Sequence, residues 1–253
     1  MASLSGKVAL ITGAGQGVGQ GIALALAKQG VAVAVTGRTE SKLHDTCALI
    51  TKAGGKALPI ACNVKSDADL ERTVKTTVST LGGIDILVNN AQEVPLGSLL
   101  NVTDEAFMDG FVSGPLASFR LMKICHPIMK ARGGGTIFNF ASSAGVRWDM
   151  ANYGPYGAVK QSIRALTRAA ASEWGPDNIR VLTIAPHALS PALKGWIADR
   201  PEESAAFFKT IPLRRIGDCE TDIGQAIVAL CGQDLQYLTG ATIPLDGGQA
   251  NFD

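Results

Sequence analysis

What most constrains the fold of this chain is a repeated alternation of short runs rich in Val and Ile with amphipathic stretches of helical spacing. The runs "KVALIT" (7–12), "VAVAVT" (31–36), "KALPIA" (56–61) and "IDILVNN" (84–90) are largely apolar throughout, as strands covered on both faces are. "GTIFNFAS" (135–142), "IRVLTIA" (179–185) and "ATIPL" (241–245) continue the series. Between them, "GVGQGIALALAKQG", "ESKLHDTCALITKAG" and "DADLERTVKTTVSTLG" carry helical periodicity and end at Gly, a frequent helix stop. Longer helices are expected over "FMDGFVSGPLASFRLMKICHPIMKA" and "YGAVKQSIRALTRAAASEWG". Strands and helices alternating in this way give a doubly wound parallel α/β sheet with helices on both faces. No linker, low-complexity tract or internal repeat interrupts the 253 residues, so the chain reads as one domain, 1–253.

Composition narrows the function. With 23 Lys and Arg against 22 Asp and Glu and no basic stripe, a nucleic-acid partner is not expected. Cys47, Cys62, Cys125, Cys219 and Cys231 form no C-x-x-C pair and read as free thiols of a reducing compartment. His44, His126 and His187 lack metal-ligand spacing, so no metal is expected. The start "MASLSGKVALITG" lacks the pattern of a secretory signal, and no uninterrupted apolar run reaches spanning length. A cytoplasmic protein without membrane contact is the resulting expectation.

"TGAGQGVG" (12–19) follows the first strand and opens the first helix, with Gly13, Gly17 and Gly19 spaced T-G-x-x-x-G-x-G. A crowded strand–helix junction alone can demand glycine. At the first βα turn of an alternating sheet, however, such a loop lets backbone N–H groups approach a pyrophosphate. The second strand ends in "TGRTE", where Arg38 precedes the nearest acid, Glu40. An acid at that end would accept hydrogen bonds from a ribose 2′-hydroxyl, whereas an Arg accommodates a 2′-phosphate, so NADP is favoured over NAD. The alternative is an Arg38 that merely faces solvent.

Tyr156 and Lys160 in "YGAVK" are four apart and share one face of a helix. Pro155 suits a first helical turn, which leaves Tyr153 before the helix and without a lysine partner. A phenol titrates near pH 10, and an ammonium close by lowers that value, making Tyr156 a candidate acid and base. The segment 187–218 follows a strand's carboxyl end and holds Trp196, Phe207, Phe208 and several prolines. It reads either as a substrate lid or as an irregular surface excursion.

With "TGAGQGVG", "NNA" (89–91) and "YGAVK" in this order, the chain resembles the short-chain dehydrogenase/reductase family from Lys7 to "LTGATIPLDGG" (238–248). The resemblance implies a seven-stranded Rossmann-type sheet and hydride exchange between NAD(P) and a small-molecule carbonyl or alcohol. It also implies a homo-oligomer, a dimer or tetramer. Carried onto this sequence, it implies Ser142, Tyr156 and Lys160 as catalytic residues. Ser142 lies three residues before Gly145, as the family pattern has it, while counting back from Tyr156 selects Ser143 instead. Gly13, Gln16, Gly17, Val18, Gly19, Arg38, Asn63, Val64, Asn90, Ala91, Pro186 and Leu189 would hold the cofactor with Tyr156 and Lys160. Gln92, Ser142, Trp148, Tyr153, His187 and Trp196 would shape the substrate pocket.

The pattern also breaks. Gln92 stands in the glycine slot of "NNAG", and His187 in that of "PG". Asn63 replaces the usual Asp, retaining an oxygen able to accept from an adenine amino group, and Ser190 is the nearest hydroxyl to the carboxamide position. No Asn occurs between Asn101 and Asn139, and Gly114 occupies the register of the family's catalytic Asn. The proton relay from Lys160 is thereby left to the neighbouring Ser113 or a water. Two rivals follow: a nucleotide-binding sensor or structural protein with little turnover, and an NAD-dependent alcohol dehydrogenase.

Overall fold

Alternate residues of the apolar runs enter two separate hydrophobic layers, one on each face of a sheet. Ala9 and Ile11 of β1 (Val8–Thr12) join one layer and Leu10 the other. Phe138 and Phe140 of β5 (Gly135–Phe140) likewise oppose Ile137. Such period-two burial on both faces is what a parallel sheet covered twice requires. In the computed structural model, which describes residues 4–147, 151–250 and 252, the remaining strands are β2 (Ala32–Gly37), β3 (Ala57–Ala61), β4 (Ile86–Asn89), β6 (Ile179–Pro186) and β7 (Thr242–Leu245). They form one seven-stranded parallel sheet in the order β3-β2-β1-β4-β5-β6-β7.

α1 (Gly17–Lys28) and α2 (Glu40–Lys52) pack on one face through Ile22, Leu26, Leu43 and Ile50, together with Ile227 of α9 (Gln225–Cys231). α3 (Asp67–Leu81) covers the other face with Leu70 and Val74. There it is joined by Leu121, Met122, Cys125 and Met129 of α5 (Ala117–Ala131) and by Ala170 and Ala171 of α6 (Gly154–Trp174). Each large aliphatic side chain buried in this way contributes about 1.5–3 kcal/mol. The strand order reverses between β1 and β4, and the carboxyl ends of these two strands diverge into a crevice suited to a ligand.

Two segments differ from the sequence expectation. The helix expected over 107–131 is not continuous: α4 (Asp104–Phe111) passes through a π-helical turn, Val112–Leu116, before α5 begins. Pro115 lies inside that turn and has no N–H to give to the ladder, which accounts for the widened winding. Residues 187–218 contain two short helices, α7 (Pro191–Asp199) and α8 (Pro201–Phe208), each begun by a proline. The Phe207 ring joins them, meeting His187 edge-on at 5.5 Å and Trp196 at 5.7 Å. Among the described residues no helix is long and apolar enough to cross a membrane.

Candidate active site

A cleft of about 520 Å³ opens where β1 and β4 diverge, with the glycine loop as its floor. Gly13 takes φ +66°, in the left-handed region that a side chain rarely tolerates, and a Cβ there would stand 2.9 Å from Asn90 Nδ2. Gly15, Gln16, Gly17 and Val18 line the cleft. Gly19 does not: a Cβ on it would lie 2.4 Å from the Gly13 carbonyl oxygen, so this glycine lets α1 close onto the turn. The first turn of α1 has no side-chain cap and no acidic residue. Its N–H groups are therefore open to an anion, and the loop fits the pyrophosphate of a dinucleotide.

Thr12 fixes the loop against β4. Its hydroxyl donates to the Val88 carbonyl (3.2 Å) and accepts from the N–H groups of Asn90 and Ala91, each at 3.0 Å. Asn90 spends its side-chain amide on the carbonyls of Thr12 (3.0 Å) and Gly13 (3.3 Å), holding the glycine turn in shape.

At the β2 end of the cleft, Arg38 pairs with Glu93 (2.9 Å), and Lys65 bridges Glu93 (3.2 Å) and Asp109 (3.0 Å). Those two carboxylates hold the Lys65 pKa above the ordinary lysine value. Lys42 donates to Gln16 Oε1 at 2.6 Å. The Asn63 side-chain oxygen accepts from Lys65 N–H at 3.1 Å, an Asx turn that leaves one lone pair for a ligand.

At the opposite end, Ser142, Tyr156 and Lys160 line the same wall. The helix begins at Gly154, which leaves Tyr153 before it, as the position of Pro155 implies; its ring stands 6.3 Å from that of Tyr156. The Ser142 hydroxyl accepts from Ala144 N–H at 3.2 Å and exerts a downward pull on the Tyr156 pKa. Ser143 turns instead toward Gln249, at 3.5 Å. Lys160 donates to the Phe140 carbonyl at 2.6 Å, with its nitrogen 5.3 Å from the centre of the Tyr156 ring.

The expected lowering of the tyrosine pKa is absent. Burial pushes Tyr156 up to about 12, against a smaller downward pull from Ser142. The same burial pushes Lys160 down to about 7, so the ammonium invoked to favour a phenolate is itself destabilised.

Asn63, Val64, Ala91, Gln92 and Pro186 line the cleft as well; Leu189 does not, and Ser190 and Pro191 take its place. Tyr153, His187 and Trp196 lie outside its lining. The Nδ1 atom of His187 is buried with no protein partner, and burial lowers the pKa of the ring. Trp148 falls outside the described residues. Sequence reasoning missed Thr12, Gly15, Lys42, Lys65, Glu93, Phe140 and Pro191. Thr12 and Gly15 stood inside the quoted glycine motif, whereas Phe140 contributes only a backbone carbonyl and left no signal.

The chain is similar to several known proteins. A family model described as enoyl-(acyl carrier protein) reductase matches residues 13–250. A 12α-hydroxysteroid dehydrogenase from a Clostridium species is 39% identical over 256 residues, 98% of each chain. The human dehydrogenase/reductase SDR family member 4 is 33% identical over 246 residues, 97% of this chain and 88% of its own. A solved 7α-hydroxysteroid dehydrogenase, complexed with NADH and 7-oxo glycochenodeoxycholic acid, superposes with a TM-score of 0.90 at 31% identity, covering 98% of this chain and 95% of its own.

Proposed function

The chain belongs to the short-chain dehydrogenase/reductase family of NAD(P)-dependent oxidoreductases, and from that premise we propose that it is an NADP-preferring enzyme interconverting a ketone and a secondary alcohol, with Tyr156 as acid and base. The observation that carries this reading is Ser142, Tyr156 and Lys160 together on the wall of a cleft floored by the glycine turn, with the Lys160 nitrogen 5.3 Å from the centre of the Tyr156 ring. Bound NAD(P)H supplies the hydride.

The chain's own residues handle the proton. A buried phenol held at about 12 keeps its proton at neutral pH and delivers it to the substrate oxygen as negative charge develops there. Ser142 donates a hydrogen bond to the same oxygen. Oxidation runs these steps in reverse. Arg38, Lys42 and Lys65 line the end of the cleft that takes the adenosine, and a 2′-phosphate would replace the Glu93 carboxylate as the partner of Arg38 and Lys65.

Oxosteroids and hydroxysteroids are the substrate class that the relatives support. Residues 187–218, with Trp196 and Phe207 packed edge to face, form the lid over that substrate. The exposed Leu99, Leu100, Met108 and Phe119 on and around α4 and α5 support a homo-oligomer, and the five free thiols support a cytoplasmic location. The test is NADPH and NADH consumption against a panel of oxosteroids, simple ketones and aldehydes. NADPH-dependent turnover supports the proposal. Cofactor binding without turnover of any member would favour the nucleotide-binding sensor, and a preference for NADH would favour the NAD-dependent dehydrogenase.

A further inference from the structure

Arg38 directly follows β2, Lys65 lies just beyond β3, and Glu93 stands in the loop after β4. In the sheet β1 separates β2 from β4, so the contacts joining these side chains cross the carboxyl end of β1, where the glycine turn lies. Arg38 Nη1 donates to one Glu93 carboxylate oxygen at 2.9 Å and Lys65 Nζ to the other at 3.2 Å. Among the described residues Glu93 is the only carboxylate paired with Arg38, whereas Lys65 also reaches Asp109 at 3.0 Å. The Glu93 backbone is held separately, its N–H donating to Ser113 Oγ at 3.0 Å, so the side chain alone makes the span.

Arg38, Lys65 and Glu93 all line the cleft, with 66, 27 and 30% of their side-chain surface exposed. All three are therefore open to a ligand. Ion pairs this exposed contribute little to stability, because water and salt screen them. Their arrangement bears instead on what else can use the two cations. A carboxylate gripped oxygen by oxygen between a guanidinium and an ammonium has the partners that a phosphate monoester would take.

We propose that Glu93 is a specificity-determining residue that occupies the place of the cofactor's 2′-phosphate and so restrains the preference for NADPH over NADH. A 2′-phosphate carries about −1.5 to −2 charges at neutral pH and gains Arg38 and Lys65 only by displacing the Glu93 carboxylate. Glu93 is then left beside that charge with neither partner, and the repulsion offsets part of what the phosphate gains. The neutral 2′-hydroxyl of NADH brings no charge to compete for the two cations. Asp109 differs: it touches Lys65 alone and lies outside the cleft lining, so it draws on one cation without standing in the phosphate's place.

The proposal rests on reading the β2 end of the cleft as the adenosine site, and calorimetric titration tests it without turnover. NADPH, NADH and adenosine 2′,5′-bisphosphate are titrated into the parent, Glu93→Gln, Asp109→Asn, Arg38→Ala and the double variant Arg38→Ala with Glu93→Gln, at low and at high salt. Glu93→Gln keeps the shape of the side chain and the backbone bond to Ser113. It is expected to tighten NADPH and the bisphosphate about fivefold, with NADH within about twofold of the parent. The gain shrinks at high salt and in the Arg38→Ala background, and Asp109→Asn gives a smaller one. Unchanged or weaker NADPH binding in Glu93→Gln overturns the proposal, as does an equal gain for NADH or an equal gain from Asp109→Asn. A parent that binds NADH more tightly, with Arg38→Ala altering neither cofactor, would refute the NADP preference. The response of the bisphosphate to Glu93→Gln would still decide what Glu93 does.

Discussion

The Lys160 nitrogen stands 2.6 Å from the Phe140 carbonyl oxygen and 5.3 Å from the centre of the Tyr156 ring, so backbone and phenol share one buried cation. Burial drives the lysine toward neutrality and keeps the phenol protonated. The consequences can be measured separately.

Ser142→Ala should lower kcat by about a hundredfold or more, the usual effect of removing one donor to a developing oxyanion. Ser143→Ala should stay within a few-fold of the parent, since its hydroxyl faces Gln249. Steady-state kinetics on the two variants decides the assignment, and the opposite ranking would assign the role to Ser143.

Lys160 makes stability depend on pH. The unfolded chain keeps this proton to about 10.5 and the folded protein only to about 7, so the unfolded state binds more protons between those values. Stability is therefore expected to rise with pH across that window through this residue, the penalty being fully present below about 7. Lys160→Met removes the contribution. Its Tm advantage over the parent should be largest at or below neutral pH and shrink toward pH 10, and a constant difference would contradict this.

Arg38→Ala should weaken NADPH binding about tenfold or more while NADH affinity stays near the parent value, as expected for losing a charge-assisted contact to the 2′-phosphate alone. Fluorescence titration with both cofactors checks it, and equal losses for the two would remove Arg38 from the discrimination.

Gly21→Ala tests packing away from the cleft. A Cβ at Gly21 would lie 2.3 Å from the Cys219 carbonyl carbon, forcing α1 off the segment Cys219–Gly224. Overpacking of this kind costs about 1–3 kcal/mol, measurable by denaturant unfolding, whereas an unchanged midpoint would show that the segment yields freely.

The sheet and its crevice were legible because continuous apolar runs and helical periods are local signals, and Tyr156 with Lys160 was legible because four residues make one helical turn. The π-helical turn was not, since Pro115 signals a break without saying whether the chain stops or widens. Nor could the sequence show that Gly114 and Gln92 contend for one volume, which is set by how the loop after β4 lies against α4. The pKa of Tyr156 was misjudged for a similar reason: spacing reveals a neighbouring lysine but not the burial that discharges it.

The central claim is most directly tested by NADPH oxidation with an oxosteroid, comparing the parent with Tyr156→Phe at matched cofactor saturation. The account predicts turnover in the parent, a fall of at least about a hundredfold in the variant, and NADPH affinity retained in both. A Tyr156→Phe protein that turns over as fast as the parent would contradict it.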